Sequence, residues 1–349
     1  MRNHVARIAS EKVLLLLIAL LFTPIWLPAQ SGSGYRRVTA FTIGGDGGWD
    51  YATVDPVAKR LYLSHSDHVE VVNIGDGSVV GTVPNTAGVH GVALAPALGR
   101  GFTSNGRSNS CSIFDLKTLK VLKEVKTGGK PDAILYDATS GGVFVFNGKS
   151  TDVTVINAAT GDVMGTIPLE GGPEFAVSDG AGHVFFNVED KSDVGEIDVR
   201  TLKVIHYWKL GKGEEPTGLA IDAAHRRLFV GCHNNLMAVM NADNGNILAT
   251  LPIGSGVDAT AFDPGTGLAF ASNGDGTLTV IHEDSADRFT VIDNVATERG
   301  ARTMALDPIT HNLFLPTARF EPAPAATAAE PHPRPKIVSG SFMVLEYAR

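Results

Sequence analysis

A unit of about 42 residues recurs seven times along this chain and occupies nearly everything after the first thirty positions. An aspartate, or a residue standing in for it, marks the same point in each copy: Asp55, Pro96, Asp137, Asp179, Asp222, Asp263 and Asp307, at intervals of 41, 41, 42, 43, 41 and 44 residues. A fixed period in this range restricts a chain to open stacks or closed rings of repeats, and the content of one copy separates the two.

Each copy reads as four short apolar stretches divided by turns, with no segment of helical period. In the third copy they are Asp132 to Tyr136, Val143 to Asn147, Val153 to Asn157 and Val163 to Pro168. Turn-forming residues follow the marker aspartates (137–142, 263–267, 307–311), where a carboxylate bonds its own turn. The third and fourth stretches are joined by hairpin connections at 115–120, 157–162 and 241–246. Four antiparallel strands per copy make one blade of a β-propeller. The last copy supplies only three strands, ending in residues 342–347, and the segment 37–45 matches fourth strands such as 247–254. The pattern predicts an all-β, seven-bladed propeller over residues 35–349, in which the N-terminal strand completes the C-terminal blade and removes the free sheet edge.

The second strands, 61–65, 101–105, 143–147, 228–233 and 268–273, resemble the Tyr-Val-Thr-Asn signature of YVTN-type propellers. With Val-Ile-Asn/Asp and Thr-Gly elements downstream, the chain is similar to YncE-like seven-bladed propellers across residues 35–349. The resemblance implies the fold. It implies no single activity, since similar propellers include lactonases, redox-enzyme domains, surface-layer proteins and DNA binders.

The N-terminus is a different kind of sequence. Arg2, Arg7 and Lys12 precede an apolar run from Val13 to Phe22, and Pro24, Pro28 and Ala29 follow. This order predicts a secretory signal peptide over residues 1–29, a periplasmic or secreted destination, and no membrane span after cleavage. An uncleaved anchor would need about 20 apolar residues, more than this proline-interrupted run offers. Cys111 and Cys232 fall in blades two and five, too far apart to bridge, and are expected to be buried thiols.

The chain carries a net charge of −8; residues 1–29 contribute +2 (Arg2, Arg7 and Lys12 against Glu11), leaving −10 on the remainder. An acidic body with no basic cluster, in which Arg36-Arg37 and Arg226-Arg227 are isolated pairs, lacks the footprint of a nucleic-acid binder. No P-loop, dinucleotide fingerprint, haem-attachment motif, zinc spacing or Ser-His-Asp context is present. A propeller enzyme scatters its site one residue per blade, so these absences leave catalysis open.

In a propeller the innermost strands line a central channel, and their entry loops form its mouth. Counting five residues back from each marker places Asp50, Gly91, Asp132, Glu174, Thr217, Asp258 and Arg302 at equivalent positions. Four carboxylates facing inward would make an acidic ring, with Asp50, Asp132, Glu174 and Asp258 as oxygen ligands for Ca²⁺ or another divalent cation. The plainer alternative is a solvated funnel. His65 and His233 stand where other blades carry the signature asparagine, and His90 precedes an innermost strand, with His68 nearby. His65, His90, Asp132, Glu174, His233 and Arg302 are therefore the expected ligand-binding set at the mouth. His183, His225 and His311 fall in turns on the opposite face and read as surface residues. A Pro/Ala-rich loop, residues 316–335 of blade seven, reaches the mouth face as a cover or a passive insertion. The expectation is a monomeric binding or scaffold propeller, not itself catalytic, that recognises a small molecule or protein partner at the mouth. The alternative is a lactonase-like hydrolase using a metal held by the acidic ring.

Overall fold

The computed structural model describes residues 32–324, 333 and 335–349; the leader reading and the middle of the blade-seven insertion fall outside them. Seven four-stranded antiparallel sheets form the blades, the first six laid down in sequence order from the inside outward. The innermost strands are Trp49–Asp55, Val89–Ala95, Pro131–Asp137, Pro173–Ser178, Pro216–Asp222, Val257–Asp263 and Ala305–Leu306. In blade seven the outer strand is the N-terminal Arg36–Thr42, paired antiparallel with Met343–Ala348 from Arg36 opposite Ala348 to Thr42 opposite Met343. The ring is closed as the repeat pattern predicts.

Strand alternation decides where the core sits. In Gly142–Asn147, Val143 and Val145 pack with blade two, while Phe144 and Phe146 pack with blade four. Both faces of a middle strand are therefore dry, which explains apolar runs rather than strict alternation. Seven such clusters occupy the seven seams between neighbouring blades. Each fully buried phenylalanine contributes about 3 kcal/mol to its seam. Cys111 and Cys232 are free and buried, and burial pushes both thiols up to about 12.

The marker aspartates cap the turn that follows. Asp55 Oδ1 accepts the N–H groups of Val57 and Ala58, and Asp137 Oδ2 accepts the N–H and the hydroxyl of Ser140. Blade two is the exception. Ala95 pairs with Arg100 as Asp55 pairs with Arg60, so Ala95 holds the marker position and Pro96 lies one residue beyond it. A single 3₁₀ turn, Pro96–Leu98, ending at Gly99 in the left-handed region (φ 64°), replaces the aspartate-capped turn. Without a capping carboxylate there is no residue to count from, and the one-residue slip follows. It matters at the mouth.

Candidate functional site at the channel mouth

Six innermost strands share a local irregularity that builds the mouth. Their pairing with the second strand skips register within the first three residues, as between Trp49 and Ala52, Val89 and Val92, or Pro131 and Ile134. A bulge there bends the strand and re-aims the side chain of its second residue. Second-strand hydroxyls hold the bulges: Ser64 Oγ accepts the Asp50 N–H at 2.8 Å and donates to the Tyr51 carbonyl, and Ser104 Oγ accepts the Gly91 N–H at 2.9 Å and donates to the Asp132 carbonyl.

Counted by register, the second residues are Asp50, His90, Asp132, Glu174, Thr217 and Asp258, with Arg302 in the matching place of blade seven. His90 therefore replaces Gly91 in the expected ring. Thr217 serves the scaffold, donating from Oγ1 to the Val257 carbonyl at 2.8 Å. The others converge. His90 Nδ1 lies 2.7 Å from Asp50 Oδ2 and 3.4 Å from Asp132 Oδ1, and the Arg302 guanidinium donates to Asp258 and reaches within 3.8 Å of Asp50 Oδ1. Asp50, His90 and Asp132 each offer one ligand atom within 4.8 Å of the others, so this trio could hold a metal. An imidazole beside two carboxylates suits zinc-like cations better than Ca²⁺, which prefers an all-oxygen shell.

Tyr51 and Phe175 close the channel beneath this ring. At the third position of the innermost strands the other blades carry Gly91, Ala133, Gly218, Ala259 and Thr303, all small. The two aromatic side chains, from blades one and four, meet edge to face with centroids 5.1 Å apart. Residues of non-adjacent blades touch only across the channel, so the mouth is a cup. Tyr51 Oη donates to Glu174 Oε1 at 3.2 Å, anchoring the floor.

The floor holds one buried carboxylate, Asp132, and three half-buried ones, Asp50, Glu174 and Asp258, against one arginine and one histidine. Burial, then the charges of Asp132 and Asp258, push Glu174 up to about 9. Burial pushes Asp132 up to about 6 against the pull of His90, and raises Asp258 despite Arg302. Burial and then Glu174 hold the Tyr51 hydroxyl well above its usual range. For His90 burial favours the neutral ring, but the Asp50 hydrogen bond and the Asp132 charge outweigh it and the net shift is upward.

Above the floor the mouth divides into two cavities that share Gly48, Trp49 and Arg302. One, about 490 Å³, lies over Asp50 and His90 with Arg107 and Lys130 on its rim. The other, about 650 Å³, is lined by Asp258, His233, Phe320, Pro335 and Ile337 among others. Phe320 and Ile337 belong to the blade-seven insertion, whose two ends pair as an antiparallel ladder: Glu321 N–H to the Lys336 carbonyl and Val338 N–H to the Arg319 carbonyl, both 2.8 Å. The ends of the insertion are thus part of the mouth wall.

Two histidine expectations need correction. His65 is in register with the signature asparagines, Asn105, Asn147 and Asn273, which are buried and clamp the second and third strands through side-chain hydrogen bonds. His65 is likewise buried, 2% exposed, stacked on Phe342 at 4.5 Å with Nε2 unpartnered, and lines neither mouth cavity. It is a seam residue. In blade five the asparagine position is Cys232; His233 lies one residue later, so its side chain turns out of the seam, 39% exposed, into the larger cavity. His68 sits apart from the mouth, between Asp67 at 3.0 Å and Glu70 at 3.2 Å. His183, His225 and His311 do lie in the opposite turns, yet each is bonded to a marker aspartate, Asp179, Asp222 and Asp263 in that order. Tyr51, Trp49, Arg107, Lys130, Phe320 and Ile337 escaped the sequence reading. The two aromatics in a row of small residues were the available signal for the floor.

No protein-family model and no curated protein sequence matches this chain. Among solved structures, one titled RRP9 WD40 repeats aligns with a TM-score of 0.72 at 10% identity, covering 90% of this chain and 97% of that one. U3-55K aligns at 0.69 and 10% identity, covering 89% and 98%. Kuenenia stuttgartiensis hydrazine synthase aligns at 0.69 and 16% identity, covering 79% and 93%. At these identities the likeness is one of fold: the chain is a seven-bladed β-propeller.

Proposed function

We propose that this chain is an exported, YncE-like binding propeller that takes a small organic cation, an amine with an apolar portion, into its mouth. One observation carries the reading: four carboxylates, Asp132 buried and Asp50, Glu174 and Asp258 half-buried, converge on the floor with too little positive charge among them, beneath a cavity of about 650 Å³. Buried charge demands a counter-charge, and an ammonium seated between Asp132, Asp50 and Asp258 supplies it. Trp49, Phe320 and Ile337 give the apolar portion a wall. A thermal-shift series of primary and quaternary amines tests this, since a ligand that binds the folded state raises the melting point. Amines that stabilise the wild type but not Asp258→Asn or Asp132→Asn support the reading; a panel with no effect, or an equal effect on the variants, refutes it.

A second reading, a metal-assisted hydrolase of the lactonase kind, is favoured by the Asp50, His90 and Asp132 trio. Its metal would polarise a carbonyl. Elemental analysis of protein purified without added salts decides: a stoichiometric divalent metal lost in His90→Ala supports it, and a metal-free protein that hydrolyses no lactone removes it.

A further inference from the structure

On the face opposite the mouth, two departures from the repeat stand side by side. The residue that follows the third strand's outermost pair donates its N–H to the turn before the second strand in six blades: Ile74 to Lys59, Leu116 to Gly99, Ala158 to Gly141, Val199 to Gly182, Ala242 to Arg226 and Glu283 to Gly267. Five of these residues are apolar. Glu283 alone is a carboxylate, its side chain is 6% exposed, and no N–H or hydroxyl among the described residues donates to its Oε2, the side chain lying against the Asp222 carboxylate instead. The second departure is at the turn residue three places after the marker. Ser140, Thr266 and Thr310 bond their aspartates through a hydroxyl, whereas in blade five His225 does so through Nδ1, 2.5 Å from Asp222 Oδ2.

The two exceptions meet. Asp222, His225 and Glu283 each bring a ligand atom within 4.8 Å of the others, with Asp222 buried, the Glu283 side chain 6% exposed and Glu283 Oε1 3.8 Å from His225 Nδ1. A buried glutamate in a repeat's apolar slot, beside a second buried carboxylate, is destabilising unless something positive satisfies it. Arg227 is close but does not pair with either: its guanidinium donates to the carbonyls of His225, Arg226 and Ala286. A longer third-to-fourth hairpin in blade six, strands Thr277–Ser285 and Arg288–Ala296, carries Glu283 over the blade-five turn.

We propose that Asp222, His225 and Glu283 form a zinc-class divalent cation site on this face, between blades five and six, independent of the mouth. One imidazole and two carboxylates match the three protein donors of an open tetrahedral zinc site, and are too few and too nitrogenous for calcium. Tetrahedral donors stand about 3.3 Å apart, so His225 must withdraw from Asp222 by less than about 1 Å. At 67% exposure its ring is free to do so.

The test is a chelator-competition titration with Zn²⁺ alone on the full chain, carried out in a His90→Ala background so that the mouth trio cannot contribute. One Zn²⁺ per chain is expected, weakened at least ~100-fold by Glu283→Gln or His225→Ala. Glu283→Ala gives blade six the residue blade five carries at Ala242, so circular dichroism of that variant checks that the fold survives. A second readout needs no change at the site: Zn²⁺ should protect the exposed His225 from diethyl pyrocarbonate, mapped by mass spectrometry. Absence of binding at micromolar Zn²⁺, or binding and protection unaltered by Glu283→Gln, would overturn the site and leave a pair of carboxyls sharing a proton.

Discussion

Replacing Glu174 by glutamine is expected to stabilise the protein, and by more as the pH rises. In the folded state burial and the neighbouring carboxylates raise this group from 4.5 to about 9. A group whose folded pKa is raised contributes its stability in full below the unfolded value, and that contribution is lost as pH climbs toward the folded one. The window therefore runs from about 4.5 to about 9. Each pH unit inside it costs the wild type up to 1.4 kcal/mol, or about 3 kcal/mol between pH 4.5 and 7. Glutamine keeps an acceptor for the Tyr51 hydroxyl and has no proton to lose, so the variant lacks this slope. Urea denaturation of both proteins at pH 5, 7 and 9, with a chelator present, measures the difference. A stability gap that widens with pH is expected. A gap that is constant, or that narrows toward pH 9, would mean that Glu174 is solvated and that the closed floor is wrongly described.

Deleting residues 35–45 should destabilise the ring far beyond the loss of a terminal segment. It unpairs Met343–Ala348 and removes Tyr35, which packs on Phe270 at 5.1 Å and donates to the His311 carbonyl. A fall in melting temperature of roughly 10 °C or more is expected; a truncated protein melting within a degree or two of the full one would defeat the closure argument. His65→Leu should flatten the acid limb of stability. Burial and then the His68 charge lower the His65 pKa, so its contribution is present above 6.5 and is lost as pH falls toward the folded value. Equal acid sensitivity of variant and wild type, in denaturant midpoints at pH 7.5 and 5, would show that His65 protonates freely in the folded state.

The sequence alone determined the architecture because every feature that specifies it is local and repeated. Period, apolar runs, turn aspartates such as Asp137 and the unpaired fourth strand at 37–45 are all legible within one 42-residue window. It also delivered most of the mouth, since Asp50, Asp132, Asp258 and Arg302 follow from a constant offset to a marker. The offset failed where a marker was missing. At Pro96 a 3₁₀ turn displaced the count by one residue, exchanging His90 for Gly91, and at Cys232 the same slip separated the exposed His233 from the buried His65. In a strand one residue is the difference between two faces, and bulges at the mouth shift that parity in ways composition does not record. What only the tertiary structure decided are contacts between distant blades. Tyr51 reaches Glu174 across 123 residues of sequence, and Glu283 arrives beside Asp222 from the next blade's third strand. Such meetings depend on the curvature of the closed ring, which brings side chains together with no fixed spacing along the chain.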